Sequence, residues 1–154
     1  MYLIDTNIHA AYLLQGYEND DTTKQFLNQY RNMPLSERVV PDFILGEFET
    51  FITRVAPPKY RLNAEDTEKL QILAFDYLKQ MTNDFTLITP NVQTIQNAST
   101  LYFENCQQNY LSFNDCLLLA TAKQNLFIVF TKDKRMNALA KKLQIAIYEP
   151  HGST

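Results

Sequence analysis

Glycine is scarce in this chain, and the three glycines lie far apart, at positions 16, 46 and 152. No G-x-G-x-x-G loop can form from them, which argues against a dinucleotide-binding enzyme with a glycine-rich phosphate loop. The chain has only two histidines and two cysteines, without the spacing of zinc ligands. No apolar run approaches the roughly 18 residues of a membrane span. We therefore expect neither a zinc site nor a membrane partner.

Neither sign of charge dominates, since 14 lysines and arginines face 17 aspartates and glutamates, for a formal net charge of −3. A nucleic-acid-binding protein is usually basic overall, but a local basic patch or bound cations can serve the same purpose. Cys106 and Cys116 lie ten residues apart, and we expect both to be reduced thiols. The first residues lack the apolar core of a signal peptide. Both features predict a cytoplasmic protein.

The composition is that of an ordinary globular protein, with 154 residues, 45% of them apolar and 20% charged. This length predicts one compact domain, which we place at residues 1–149, followed by a frayed tail at residues 150–154. Strand and helix patterns alternate almost throughout the chain. The alternation predicts a three-layer α/β/α domain with a mostly parallel central sheet.

Short apolar runs and helical periodicity locate the individual elements. The predicted strands are residues 1–4, 37–40, 85–89, 126–130 and 144–148. The predicted helices are residues 6–14, a helix from 20, then 41–55, 63–81, a helix from 92, then 112–124 and 134–143. We expect Pro57-Pro58 to interrupt the helical structure, and Asn125 to take the left-handed position that ends the helix at 112–124.

Four acidic residues stand where a fold of this kind would gather them. Asp5 and Asp133 follow the first and fourth predicted strands, and ligands of open α/β sheets bind at the C-terminal ends of strands. Glu47 lies roughly 75° from the centre of the apolar face of its helix, so it borders the buried stripe. Asp115 lies in a helix that is apolar nearly all round, which implies burial.

Each of these acids also has a simpler, local explanation. Asp5 and Asp133 could cap the helices that follow them, because aspartate accepts backbone N–H groups well at that position. Glu47 could cover apolar surface with its stem while its carboxylate stays in water. Ser112 and Asp115 have the S-x-x-D spacing of a capping box. Taken singly, the acids leave local and functional interpretations open.

Taken together, the four acids form a stronger pattern than any one of them. If they converge, their charges repel one another and raise their pKa values. Divalent cations relieve this repulsion, and carboxylate and water oxygens are typical ligands of Mg²⁺ or Mn²⁺. A carboxylate-bound metal pair is a recurring device for phosphodiester cleavage, since it activates a water and stabilises the leaving oxygen.

At these residues the sequence resembles the PIN-domain nucleases, and most closely the VapC-like toxins of bacterial toxin–antitoxin modules. The resemblance spans almost the whole chain in the order of the family. The segments that carry it are Leu3–Asn7, Val40-Pro41, Leu45–Phe48, Asp115-x-x-Leu118-x-Ala120-Thr121-Ala122 and Thr131-x-Asp133. The chain departs from the family at Arg135, where many relatives carry another acid.

The resemblance implies that the metal-binding acids are Asp5, Glu47, Asp115 and Asp133. It assigns Asn7 and Thr131 as polar supports that orient carboxylates or water. The first three acids would hold the principal cation, and Asp133 would hold a second cation or position the attacking water. Members of the family cleave RNA with Mg²⁺ or Mn²⁺, often form homodimers, and are held inactive by a cognate antitoxin protein. We expect the same cofactor, RNA substrate and partners here.

Basic residues cluster in the segment 132–142, where Asp133 is the only acid. Lys132 and Arg135 flank Asp133 and are candidates for contacts with RNA phosphates, whereas Lys141 and Lys142 fit a solvated helix face. The sequence thus predicts a metal-dependent endoribonuclease that acts as a toxin. The alternatives are a stand-alone RNA-processing nuclease with the same chemistry and a non-catalytic domain that binds RNA or protein. The presence of all four acids argues against the last.

Overall fold

The computed structural model describes residues 1–18, 20–109 and 111–150, except the side chains of residues 106–109. Four strands form one sheet, and its strand pairings are parallel in this part of the chain. The strands are Tyr2–Ile4 (β1), Arg38–Pro41 (β2), Thr86–Ile88 (β3) and Ile128–Phe130 (β4). The helices are Thr6–Leu13 (α1), Asp21–Asn32 (α2), Asp42–Thr50 (α3), Ala56–Lys59 (α4), Ala64–Asp84 (α5), Val92–Asn109 (α6), Phe113–Asn125 (α7) and Lys134–Lys142 (α8).

The strands are ordered β3-β2-β1-β4, so β1 lies inside the sheet between β2 and β4. The chain proceeds from β1 to β2 and β3 on one side, and β4 pairs on the other side of β1. Such a change of direction opens a crevice at the C-terminal ends of the central strands, where α/β proteins bind ligands. The N–H of Asp5 donates to the carbonyl of Phe130 (3.1 Å), which brings the ends of β1 and β4 together.

Successive side chains of the central strands point to opposite faces of the sheet, as the period of a strand requires. Leu3 and Val129 belong to the larger core, which α3, α5 and α7 complete. Ile4 and Phe130 belong to a smaller core on the other face, covered by α2 through Phe26. Helices therefore cover both faces, which confirms the predicted α/β/α architecture with its parallel sheet.

One prediction about the helices is wrong, because Pro57-Pro58 does not interrupt the helical course. After α3 the chain continues through a π-helical turn, Phe51–Val55, directly into α4. The N–H of Ala56 donates to the carbonyl of Phe51, five residues back. Pro57 and Pro58 then occupy the first turn of α4, the part of a helix that tolerates proline best.

Two smaller predictions also differ from the structure. The last predicted strand, 144–148, is reduced to a single parallel bridge between Ile147 and Val129. Leu126, rather than Asn125, takes the left-handed conformation after α7, with φ of 57°. Asn125 remains helical because its amide donates to the carbonyl of Thr121 (2.9 Å). Of the predicted tail, residues 151–154 lie outside the described part of the chain.

Cys116 is buried in α7, whereas the side chain of Cys106 lies outside the description. In the part of the chain that is described, no helix combines the length and apolar character that a bilayer crossing requires.

A buried histidine in α1 forms part of the core. His9 is fully buried, and its Nδ1 lies 2.8 Å from the hydroxyl of Tyr77. Its Nε2 has no hydrogen-bond partner among the described residues. Burial, with a smaller contribution from the nearby guanidinium of Arg38, lowers the pKa of His9 to about 3. His9 is therefore neutral in the folded protein at pH values where an unfolded chain would bind a proton.

This difference predicts a loss of stability in mild acid. The folded pKa of His9 lies below the unfolded value, so its contribution is complete above about pH 6.5 and declines as the pH falls. Between about pH 7 and pH 5 the wild type should lose roughly 2 kcal/mol relative to His9→Asn. Thermal unfolding of both proteins in metal-free buffer measures this difference. A constant difference across the pH range would contradict the buried, neutral histidine.

Candidate active site

All four predicted acids line one cavity of about 340 Å³ at the C-terminal edge of β1 and β4. They reach it from four separate segments: the residue after β1, helix α3, the first turn of α7 and the residue before α8. The structure therefore brings Asp5, Glu47, Asp115 and Asp133 together around a single space. The other residues that line the cavity are Thr6, Asn7, Ala10, Glu18, Phe51, Lys59 and Lys132.

Asp5 is held by side chains and does not cap its helix. It occupies the position before α1, but its side chain makes no capping hydrogen bond of good geometry. The backbone N–H of Thr6 has only the smallest of the effects that shift its pKa. Its Oδ2 accepts instead from the amide of Asn7 (2.5 Å) and from the hydroxyl of Thr131 (2.5 Å). The capping explanation therefore fails for Asp5, and the two supports named from the resemblance contact its carboxylate.

The amide of Asn7 is oriented by three contacts. Its nitrogen donates to Asp5 and to the hydroxyl of Thr131 (2.9 Å), while its oxygen accepts from the backbone N–H of Lys132 (3.2 Å). Thr131 in turn accepts from the backbone N–H of Asp133 (3.0 Å). This network links the ends of β1 and β4. It contacts Asp5 through Oδ2 and does not involve Oδ1.

The carboxylates interact electrostatically across the cavity. Burial raises the pKa of Asp5 to about 7; the hydrogen bond from Thr131 opposes this rise, while the charges of Asp115 and Glu47 add to it. Burial also raises the pKa of Glu47, and Asp115 adds to that rise. The hydroxyl of Thr6 lowers the pKa of Glu47 and so opposes part of this rise. That hydroxyl makes no hydrogen bond of good geometry among the described residues. Asp5 and Glu47 are therefore poorly solvated, and the charge of Asp115 acts on both of them.

Asp115 serves its own helix as well as facing the cavity. Its Oδ2 accepts from the backbone N–H of Ser112 (2.7 Å), and the hydroxyl of Ser112 accepts from the N–H of Asp115 (3.1 Å). This reciprocal pair confirms the capping box expected from the S-x-x-D spacing. Asp115 therefore both caps its own helix, as the local explanation predicts, and lines the cavity.

Asp133 also caps a helix, accepting from the backbone N–H groups of Arg135 (2.7 Å) and Met136 (3.3 Å). The guanidinium of Arg135 pairs with it as well (3.0 Å). Burial alone would raise the pKa of Asp133, but the hydrogen bonds and charge of Arg135 outweigh burial and lower it. Of the two basic residues predicted to contact RNA, Lys132 lines the cavity, whereas Arg135 does not.

Two cavity residues, Glu18 and Lys59, were not singled out from the sequence. Glu18 accepts from Lys132 Nζ (2.6 Å), from Lys59 Nζ (3.4 Å) and from the hydroxyl of Tyr60. Glu18 lies in an irregular segment after α1, where nothing local marks it. Lys59 follows Pro57-Pro58, where the sequence predicts that the helix has already ended. Because the helical course continues instead, Lys59 reaches the cavity, which the sequence did not indicate.

The donor set fits a hydrated divalent cation better than a fully protein-bound one. Among the described residues, no three Asp, Glu, His or Cys side chains are grouped so as to hold a metal ion. Mg²⁺, however, commonly keeps several waters and binds through one or two carboxylates. Asp5 and Glu47 supply such oxygens, and the Thr6 hydroxyl is a buried polar atom beside them that a water shell could satisfy.

Asp5 should destabilise the metal-free protein at neutral pH, because its folded pKa lies above the unfolded value. This cost appears as the pH rises through about 4 to 7, opposite in sign to the effect of His9. Asp5→Asn should therefore gain on the order of 2 kcal/mol at pH 7, or about 4–8 °C in Tm. Thermal unfolding in EDTA measures the gain, and added Mg²⁺ should stabilise only the wild type. A less stable Asp5→Asn protein would contradict this electrostatic account.

The model of the PIN domain family matches residues 2–142 of the chain. No curated protein sequence matches it. Similar solved structures include VapC20 of Mycobacterium tuberculosis, a sarcin–ricin loop cleaving toxin (TM-score 0.65, 14% identity, 90% of this chain and 95% of that one). FitAcB of Neisseria gonorrhoeae shares the fold as well (TM-score 0.67, 15% identity, 99% of this chain and 99% of that one). So does VapBC-1 of nontypeable Haemophilus influenzae (TM-score 0.59, 12% identity, 96% of this chain and 96% of that one). The family match over residues 2–142 shows that this chain belongs to the PIN domain family.

Proposed function

We propose that the protein is a divalent-metal-dependent endoribonuclease that hydrolyses RNA phosphodiester bonds. One observation carries the proposal: Asp5 lies at the cavity without capping its helix, and its burial, together with the charges of Asp115 and Glu47, raises its pKa. A carboxylate in that position weakens the metal-free fold, so its presence is best explained by a ligand. Membership of the PIN domain family supports the same function.

The residues divide the work according to their contacts. Asp5, Glu47 and Asp115 would hold the principal Mg²⁺ or Mn²⁺, with at least one of the three bound through water of the hydration shell, and Asp133 would hold a second cation or position water. A bound cation would supply an activated water and neutralise charge at the phosphate. Asn7 and Thr131 keep the Asp5 carboxylate in one orientation through its Oδ2. The reaction would be an in-line hydrolysis that needs no covalent intermediate with the protein.

We further propose that the protein acts as the toxin of a toxin–antitoxin pair. The similar solved structures include a sarcin–ricin loop cleaving toxin and a toxin–antitoxin complex from Klebsiella pneumoniae. By the resemblance of its sequence to the VapC-like toxins, its partners would be an RNA substrate, a cognate antitoxin protein and a second copy of the chain. We expect these partners to meet it in the cytoplasm.

The nuclease proposal is tested with total RNA and purified protein in the presence of Mn²⁺. Asp5→Asn should lower the cleavage rate on the order of 10³-fold, equivalent to about 4 kcal/mol of lost transition-state stabilisation. Excess EDTA should abolish cleavage by the wild type, and mapping the cut ends identifies the RNA. Because this variant should be more stable than the wild type, unfolding cannot explain its loss of activity.

The matched control is Asp76→Asn on α5, which removes an exposed carboxylate that does not line the cavity. Its cleavage rate should equal that of the wild type. Undiminished cleavage in excess EDTA, or by Asp5→Asn, would overturn the proposed function.

The toxin proposal makes a separate prediction in living cells. Induced expression of the wild type in bacteria should arrest growth, expression of Asp5→Asn should not, and co-expression of the protein encoded beside it should restore growth. Growth is the readout, with equal protein levels verified by immunoblot. Normal growth with an active nuclease would instead favour a stand-alone RNA-processing enzyme.

A further inference from the structure

We propose that Lys59 and Lys132 form a subsite for a backbone phosphate of the RNA, adjoining the scissile phosphodiester, and that the carboxylate of Glu18 occupies this subsite until RNA displaces it. The inference rests on the proposed function and adds to it the residues that hold the substrate beside the acids.

Three separate segments meet at Glu18. Its Oε2 accepts from Lys132 Nζ (2.6 Å), and its Oε1 accepts from Lys59 Nζ (3.4 Å) and from the hydroxyl of Tyr60. Glu18 follows α1, Lys59 ends α4, and Lys132 follows Thr131 beyond β4. A single carboxylate therefore gathers two ammonium groups that would otherwise repel each other.

The gathered lysines remain available to a ligand. Glu18, Lys59 and Lys132 all line the same cavity as the four acids. The side chain of Lys59 is 50% exposed, whereas those of Glu18 and Lys132 are about one-fifth exposed. An ammonium has three donors. In the described contacts Lys132 Nζ donates to Glu18 and to Thr23 (3.2 Å), and Lys59 Nζ donates to Glu18 and interacts with the hydroxyl of Tyr60. Each lysine can therefore add a bond to a phosphate oxygen.

The charge of Glu18, Lys59 and Lys132 complements that of the four acids. Two lysines and one glutamate give a local charge of +1, while the four acids that share the cavity are negative. A phosphodiester is an anion, so it is repelled by the acids unless a cation intervenes, and it is attracted by the lysines. Lysine binds phosphate as a compact point charge. A carboxylate already bound to both lysines shows that the subsite accepts an anion.

The subsite is joined directly to the acidic network. The backbone N–H of Lys132 donates to Asn7, whose amide binds Asp5. Thr131, the neighbour of Lys132, donates its hydroxyl to Asp5. These contacts fix the position of Lys132 relative to Asp5. A phosphate bound by the lysines would therefore help to position the neighbouring phosphodiester beside the acids.

Two charge-removing variants test the subsite in the full chain. The probe is a fluorescein-labelled single-stranded RNA of about 12 nucleotides, with Asp5→Asn present to prevent cleavage and Mg²⁺ in the buffer. Fluorescence anisotropy gives Kd over a series of KCl concentrations. Lys59→Met and Lys132→Met should each weaken binding about 5- to 10-fold at low salt and reduce the salt slope by about 0.7. The matched control, Lys69→Met, removes an exposed lysine of α5 paired with Glu65 and should change neither quantity.

Glu18→Gln tests whether the Glu18 carboxylate is an anion that RNA displaces or only one half of a structural ion pair. If Glu18 competes with RNA, this variant should bind the probe about 3- to 10-fold more tightly even though its Tm falls. Glu65→Gln controls for the general loss of one negative charge. A structural ion pair alone would lower Tm and leave binding equal to that of the control.

The outcomes also distinguish the two proposals. If the wild type cleaves RNA but both lysine variants bind like Lys69→Met, the subsite is wrong and the nuclease stands. If the wild type neither binds nor cleaves RNA, both are wrong. Lys59 is half-exposed at a helix end, so Lys59→Met decides the question even if Lys132→Met fails to fold.

Discussion

The burial of the Asp5 carboxylate at the C-terminal edge of the sheet is the constraint on which the stability and the site of this protein depend. Asp5 lies there because β1 pairs with β4, so that its N–H meets the carbonyl of Phe130. Thr131 and Asn7 then hold one of its oxygens. Burial beside two further acids raises its pKa to about 7, which opposes folding at neutral pH. Functional sites often retain such unfavourable local features, and the surrounding core has to offset them.

The core that offsets this cost lies on both faces of the central strands. Leu3 and Val129 are packed on one side, and Ile4 and Phe130 on the other, all of them fully buried. Apolar burial of this kind contributes roughly 1.5–3 kcal/mol for each large side chain. Because Asp5 and Asp133 follow β1 and β4, the packing of these two strands fixes where both acids lie.

Three helices begin at the cavity, and this arrangement tempers the repulsion among the acids. Asp5 precedes α1, Asp115 lies in the first turn of α7, and Asp133 precedes α8. The N-terminus of a helix carries partial positive charge and exposes N–H groups, so it stabilises nearby anions. Asp115 and Asp133 use those N–H groups directly, whereas Asp5 does not. Of these three acids, Asp5 is the one that caps no helix, and it therefore most clearly indicates a ligand.

Local signals in the sequence determined most of the secondary structure, the alternation that makes an α/β sheet, and the capping box at Ser112. The apolar runs that end at Asp5 and before Asp133 also placed two acids at the ligand-binding edge. Only the tertiary structure decided that the helix continues past Pro57-Pro58, and that Glu18 joins Lys59 to Lys132. Periodicity and capping depend on neighbours along the chain, which a sequence displays. The meeting of Glu18, Lys59 and Lys132 depends on how distant segments pack, and no local pattern records it.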